Sequence, residues 1–185
     1  MPGYNAIKNV NEWLVLIRDV NIKPFLKAYD EAKKFETDIT DRSTKGDKSK
    51  QYSILTESLK SLGSLFHNYI KNVKGVGHRD LKIGTGWCVE GDKGSYHRLH
   101  NHTLVRENSK LDDGIACVLY LDVPEDDDRG EFYYLINTEN GTQLKWIMPN
   151  KGDLIIMPKT VFHGVYPQKS KGLRRTLNFD FKYAE

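Results

Sequence analysis

The chain has 185 residues, 38% hydrophobic and 29% charged, with 28 lysines and arginines against 25 acidic residues. That balance excludes bulk disorder and leaves enough apolar material for a substantial core without disulfide or metal staples. A net charge of +3, with no face on which lysines and aromatics interleave, gives no case for nucleic-acid binding, and apolar runs such as 13–17 and 115–121 are far too short to span a bilayer. Cys88 and Cys117 both fall inside apolar strand-like patterns, and the N-terminus lacks a basic-then-apolar leader. A cytoplasmic protein with reduced thiols is the expectation.

The apolar run 13–20 fits a buried strand or a helical turn, and the strand is the favoured reading. Asn21 is placed to cap a helix whose first turn contains Pro24, and Ile22, Phe25, Leu26, Tyr29 and Ala32 recur at helical spacing, which predicts a helix over 22–36. Residues 37–51 are polar and lysine-rich, a solvated loop with the length of a possible lid. Leu55, Leu59, Leu62, Phe66, Tyr69, Ile70 and Val73 share one face of a second predicted helix over 52–73, stopped by Gly75-Val76-Gly77.

From Leu81 the period changes to two. Eight strands are predicted, over 81–90, 95–103, 114–122, 131–136, 143–148, 153–158, 161–166 and 173–182, separated by turn chemistry such as Asn140-Gly141 and Pro149-Asn150-Lys151-Gly152. Gly84-Thr85-Gly86 lies inside the first of these strands and lacks the third glycine of a dinucleotide fingerprint, so it reads as a bulge. The pattern implies an α+β, mainly β chain: an antiparallel double sheet, or jelly roll, with the two helices packed outside one sheet. No repeat or linker divides the sequence. The expectation is one domain over 1–185, with 1–80 a mainly helical support region and 81–185 the jelly-roll core.

Three of the six histidines lie between Tyr96 and His102. In an extended strand His100 and His102 point to the same face, with α-carbons roughly 6.6 Å apart, and His97 falls on the opposite parity. A His-X-His pair alone is a weak signal, so a third ligand must come from elsewhere, and His163 is the best candidate. Arg174 follows eleven residues later. Three imidazoles on one face of an octahedral ion leave positions open for substrate, cosubstrate and oxygen, which suits non-haem Fe(II). An arginine fork beyond them can hold the far carboxylate of a dicarboxylate that chelates the metal, and Thr176 on the same strand face can add a hydroxyl. Arg175 has the opposite parity, and a register error of one would exchange its role with that of Arg174. His67, His78 and the acidic run Asp126-Asp127-Asp128 carry no comparable pattern.

His100-Asn101-His102, the strand 116–124 followed by Gly130-Glu131-Phe132, and the run from Gly152 through His163-Gly164-Val165-Tyr166-Pro167 to Arg174-Arg175-Thr176 resemble the 2-oxoglutarate and Fe(II)-dependent dioxygenases. Within that superfamily they are most similar to the small prolyl-hydroxylase-like oxygenases of bacteria and phages. The resemblance covers about the last hundred residues. It implies a double-stranded β-helix, iron held by His100 and His163, 2-oxoglutarate bound at its distal carboxylate by Arg174 and Thr176 with help from Tyr120, and O2 as co-reactant. The implied reaction is hydroxylation of a C–H bond with release of succinate and CO2. The family's usual second ligand is an acidic residue two after the first histidine, where this chain has His102; Glu107, Asp112 and Asp113 are acidic alternatives that lack the strand spacing. The competing reading is a cupin-like three-histidine protein, a dioxygenase or isomerase, that does not use 2-oxoglutarate. No motif selects a substrate among free amino acids, peptidyl side chains, nucleobases and small metabolites, and no feature fixes the oligomeric state.

Overall fold

A computed structural model describes residues 13–34, 49–54, 56–73, 76, 80–103 and 114–184. The acidic alternatives Glu107, Asp112 and Asp113, together with His78, Leu55, Gly75, Gly77 and most of the two long loops, lie outside the described residues.

The architecture is two facing antiparallel sheets with helices against the larger one. In chain order the elements are β1 Val15–Ile17, α1 Lys23–Lys34, β2 Lys50–Ser53, α2 Thr56–Ile70, β3 Leu81–Gly91, β4 His97–His100, β5 Gly114–Asp122, β6 Phe132–Thr138, β7 Gly141–Ile147, β8 Leu154–Pro158, β9 His163–Val165 and β10 Arg174–Tyr183. The large sheet runs β1-β8-β5-β10-β3-β2 and the small one β4-β9-β6-β7. All eight strands predicted after Leu81 are present, and of 13–20 only Val15–Ile17 form a strand, half-buried rather than buried. Asn21 caps α1 as expected, its Oδ1 accepting from Lys23 N–H at 3.2 Å. The reading of 52–73 as one helix fails at its start. Gln51, Tyr52 and Ser53 pair with Val89, Cys88 and Trp87, so Tyr52 belongs to the edge strand β2 and α2 begins at Thr56. Cross-strand bonding to β3 overrides the helical spacing there.

The period of two in the central strands separates two cores. Leu177, Phe179 and Phe181 of β10, with Ile115, Cys117 and Leu119 of β5, face the helices and pack with Phe25, Leu62 and Phe66. Ala116, Val118 and Tyr120 of β5 face the other way, toward Phe132, Ile155, Met157 and Val161 between the sheets. The remaining face of β10 carries Arg174, Thr176, Asn178 and Asp180, which line a cavity between the sheets. No helix among the described residues is long and apolar enough to cross a membrane.

Candidate metal centre

The pairing of β4 with β9 assembles the histidines. His100 sits directly opposite His163 in the register, and their ring centroids are 4.4 Å apart. His102 lies just beyond the end of β4, its N–H bonded to the Lys159 carbonyl at 2.9 Å, and its ring is 5.4 Å from that of His100 and 4.9 Å from that of His163. Each of the three offers one ring nitrogen, and these nitrogens lie within 4.8 Å of one another.

The second nitrogen of each ring fixes which atom faces the cluster. His100 Nδ1 is 2.8 Å from the Arg98 carbonyl, His163 Nδ1 is 2.9 Å from the Val161 carbonyl, and His102 Nδ1 is 2.8 Å from Asp180 Oδ1. A carbonyl or carboxylate oxygen only accepts, so in all three the Nδ1–H donates and Nε2 keeps its lone pair. This is the tautomer and the outer support of a metal-ligating histidine. Burial holds the His163 pKa well below the usual imidazole value, reinforced by His102 and then His100. The ring is therefore the neutral form that a metal requires.

The sequence places His97 on the opposite parity, and the structure corrects this. The β4–β9 register shifts between His97 and His100, and the bulge turns His97 into the same cavity, where its Nε2 lies 3.0 Å from Ser49 Oγ. A bulge resets the alternation of faces, which spacing alone cannot reveal.

The cavity, about 620 Å³, also contains the arginine of the predicted anion site. Arg174 is 4% exposed, yet its guanidinium meets only neutral oxygens, the Arg129 carbonyl at 3.2 Å and Ser95 Oγ at 3.4 Å. Among the described residues no carboxylate pairs with it. Tyr120, fully buried on β5 and register-paired with Thr176, has a hydroxyl without a hydrogen-bond partner among the described residues, and burial pushes its phenol up and keeps it a neutral donor. It stands on β5, the strand adjacent to β10 in the same sheet. Gly130 makes room for the guanidinium: it has φ +81°, and a Cβ there would lie 2.6 Å from Arg174 Nη1. Arg175 points away, paired with Asp122 at 3.1 Å, so the cavity-facing arginine is Arg174.

The structure thus brings all six sequence-selected residues, His100, His102, His163, Arg174, Thr176 and Tyr120, to one cavity. Asp180 and Trp87, whose ring lies 5.1 Å from that of His102, also line it, and Ser95 meets Arg174 from behind; the sequence reading had none of the three. For Asp180 a signal existed. Arg174, Thr176, Asn178 and Asp180 alternate with Leu177, Phe179 and Phe181 along β10, and polar side chains at every second position of a central strand mark a face that solvates something.

No protein-family model matches the chain, and no curated protein matches it in sequence. Solved structures match its fold. HygX from Streptomyces hygroscopicus, crystallised with nickel, 2-oxoglutarate and hygromycin B, superposes with a TM-score of 0.66 at 14% identity, covering 93% of this chain and 83% of its own. The viral collagen prolyl hydroxylase of Paramecium bursaria Chlorella virus-1, in complex with 2-oxoglutarate, gives 0.65 at 16% identity over 94% and 97% of the two chains. A Pseudomonas putida prolyl-4-hydroxylase gives 0.64 at 17% identity over 94% of each. The fold is that of the double-stranded β-helix oxygenases.

Proposed function

We propose that the protein is a 2-oxoglutarate and Fe(II)-dependent oxygenase that hydroxylates a C–H bond, with 2-oxoglutarate and O2 consumed and succinate and CO2 released. The observation that carries this reading is the pairing, in one cavity, of three Nε2 donors with a buried guanidinium that has no carboxylate partner among the described residues. Burying an unpaired cation costs several kcal/mol, so a fold that keeps one is built to receive an anion. A metal alone does not account for Arg174, and the cupin-like alternative leaves it without a task.

The residues present fit the implied metal: three imidazoles whose Nδ1–H groups are already committed, so His100, His102 and His163 would hold the ion. When bound, iron supplies oxygen activation and open positions for a chelating 2-oxo acid. Arg174 binds the distal carboxylate, and Thr176 and Tyr120 supply hydroxyl donors along the same wall. Phe132 stacks on His163 at 5.4 Å and, with Val118, keeps that wall dry, which strengthens the charge pairing. Orientation of the substrate falls to cavity residues that neither metal nor cosubstrate uses, among them Gln51, Thr85, Trp87 and Asn101. HygX has hygromycin B bound and a prolyl hydroxylase from Trichoplax adhaerens is in complex with a peptide fragment on this fold; for this chain the substrate class is a small molecule or a peptidyl side chain.

The test is an anaerobic titration of iron-loaded protein with 2-oxoglutarate, followed by visible absorption. A saturable charge-transfer band is expected. Iron binding without any band would eliminate 2-oxoglutarate as cosubstrate and leave the three-histidine reading without it.

A further inference from the structure

The three histidines are supported unequally. His100 and His163 donate Nδ1–H to backbone carbonyls, whereas His102 donates to the carboxylate of Asp180, with both side chains less than a tenth exposed. Asp180 is itself anchored. Its Oδ2 lies 4.0 Å from the ammonium of Lys159, a lysine that is 3% exposed. The main chain of Lys159 is tied on both sides, its N–H to the Gly114 carbonyl at 3.0 Å and its carbonyl to the N–H of His102 at 2.9 Å. One corner of the fold therefore grips His102 at its backbone and, through Asp180, at its ring.

The β-sheet is deformed at this corner. Phe179 pairs with Gly86 and Phe181 with Ile83, so Gly84 and Thr85 together oppose Asp180 in the bulge foreseen from the sequence. A Cβ at Gly84 would stand 2.5 Å from the Asp180 carbonyl oxygen, so glycine is what lets β3 cross so close. The extra residue of this bulge lies on β3, while β10 keeps its alternation, so Asp180 shares the cavity face with Arg174, Thr176 and Asn178 and meets His102 from it.

We propose that Asp180 is a positioning residue of the metal centre, holding His102 with Nε2 toward the ion and returning, one hydrogen bond further out, the negative charge that three neutral imidazoles lack. This rests on the metal-site reading above. An ionised acceptor on Nδ1 makes an imidazole a stronger electron donor to a metal than a carbonyl can. Carboxylate support of this kind substitutes for the acidic ligand that the resemblance led one to expect at position 102.

The experiment uses the metal-free full-length protein and its Asp180→Ala and Asp180→Asn variants, titrated with Co(II) and followed by its visible absorption, with circular dichroism to establish folding. Loss of the carboxylate should weaken Co(II) binding by about 10- to 100-fold, in the usual range for an outer support of a ligating histidine. An Asp180 that is only structural would lower the melting temperature while folded protein bound Co(II) as tightly as wild type. That result overturns the assignment. If neither variant folds, ring nitrogen NMR of the metal-free wild-type protein decides: a His102 protonated on Nδ1 supports the assignment, and one protonated on Nε2 overturns it. A wild-type protein that binds no Co(II) overturns the metal-site reading and this one together, whereas normal wild-type binding with unchanged variants overturns this one alone.

Discussion

Replacing Arg174 by methionine separates a ligand-binding arginine from a structural one, because the two roles predict opposite costs. In the ligand-free protein the guanidinium donates to two neutral oxygens, at 3.2 and 3.4 Å, and methionine forfeits both bonds. Hydrogen bonds from a charged donor are worth about 1.5–3 kcal/mol each. Against this stands the desolvation of a buried cation with no counter-ion among the described residues, several kcal/mol that methionine does not incur. The two terms nearly cancel, so Arg174→Met should leave ligand-free stability within about 2 kcal/mol of wild type, a melting-temperature change of at most about 4–8 °C for a chain of this size. Binding of 2-oxoglutarate is a different matter. Removing one partner of a buried charge pair costs about 2–5 kcal/mol, a loss of about 30- to 5000-fold in affinity. Thermal melts of nickel-loaded protein, with and without 2-oxoglutarate, read both quantities at once. Wild type at a ligand concentration 100 times its Kd should gain about 2.7 kcal/mol, and the variant at the same concentration at most about 0.9 kcal/mol. Arg175→Met is the control, since that side chain faces Asp122 outside the cavity and should leave the ligand response intact. A ligand response preserved in Arg174→Met, or a ligand-free melting temperature lowered by more than about 10 °C, would refute the assignment of Arg174 to an anion.

Gly130→Ala should weaken 2-oxoglutarate binding without touching a metal ligand, because a side chain at φ +81° is strained by about 1–2 kcal/mol and its Cβ would sit 2.6 Å from Arg174 Nη1; calorimetry would show a raised Kd alongside a lowered melting temperature. Phe66 is fully buried between Phe25 at 4.9 Å and Phe179 at 5.4 Å, so Phe66→Ala should cost about 3–5 kcal/mol in chemical denaturation. Burial, followed by Glu90, pushes the Cys88 thiol up to about 12, and burial pushes Cys117 up as well. Both should therefore resist a thiol reagent at pH 8 until denaturant exposes them. In the unfolded chain these thiols ionise near pH 8.5, so the folded state binds more protons above that value and stability should fall by up to about 1.4 kcal/mol per pH unit for each cysteine as pH rises toward 12; urea melts at pH 8 and 10 measure the slope.

Much of the architecture was legible in the sequence because strand periodicity is local. From Leu81 onward each apolar alternation bounded by turn residues became a strand, and Phe25 and Phe66 lay on the buried faces of the helices that the spacing of apolar residues predicts. Tyr52 was misread for the complementary reason. A short apolar-flanked segment satisfies both periods, and only the presence of β3 beside it made the strand the better-bonded state.

At the site, residue type and order supplied the histidines and the arginine, since few side chains can hold a metal or a carboxylate. Tertiary structure decided what spacing cannot carry. Cross-strand register set His163 opposite His100, a one-residue irregularity in β4 rotated His97 into the cavity, and strand parity sent Arg174 inward and Arg175 toward Asp122. Asp180 shows the difference most plainly, for it lies 78 residues from His102 in sequence and 2.8 Å from its ring in space. The chemistry of each residue is written in the chain. Which charge stands behind which ligand depends on how β10 of one sheet faces the end of β4 in the other, and that exists only once both sheets have formed.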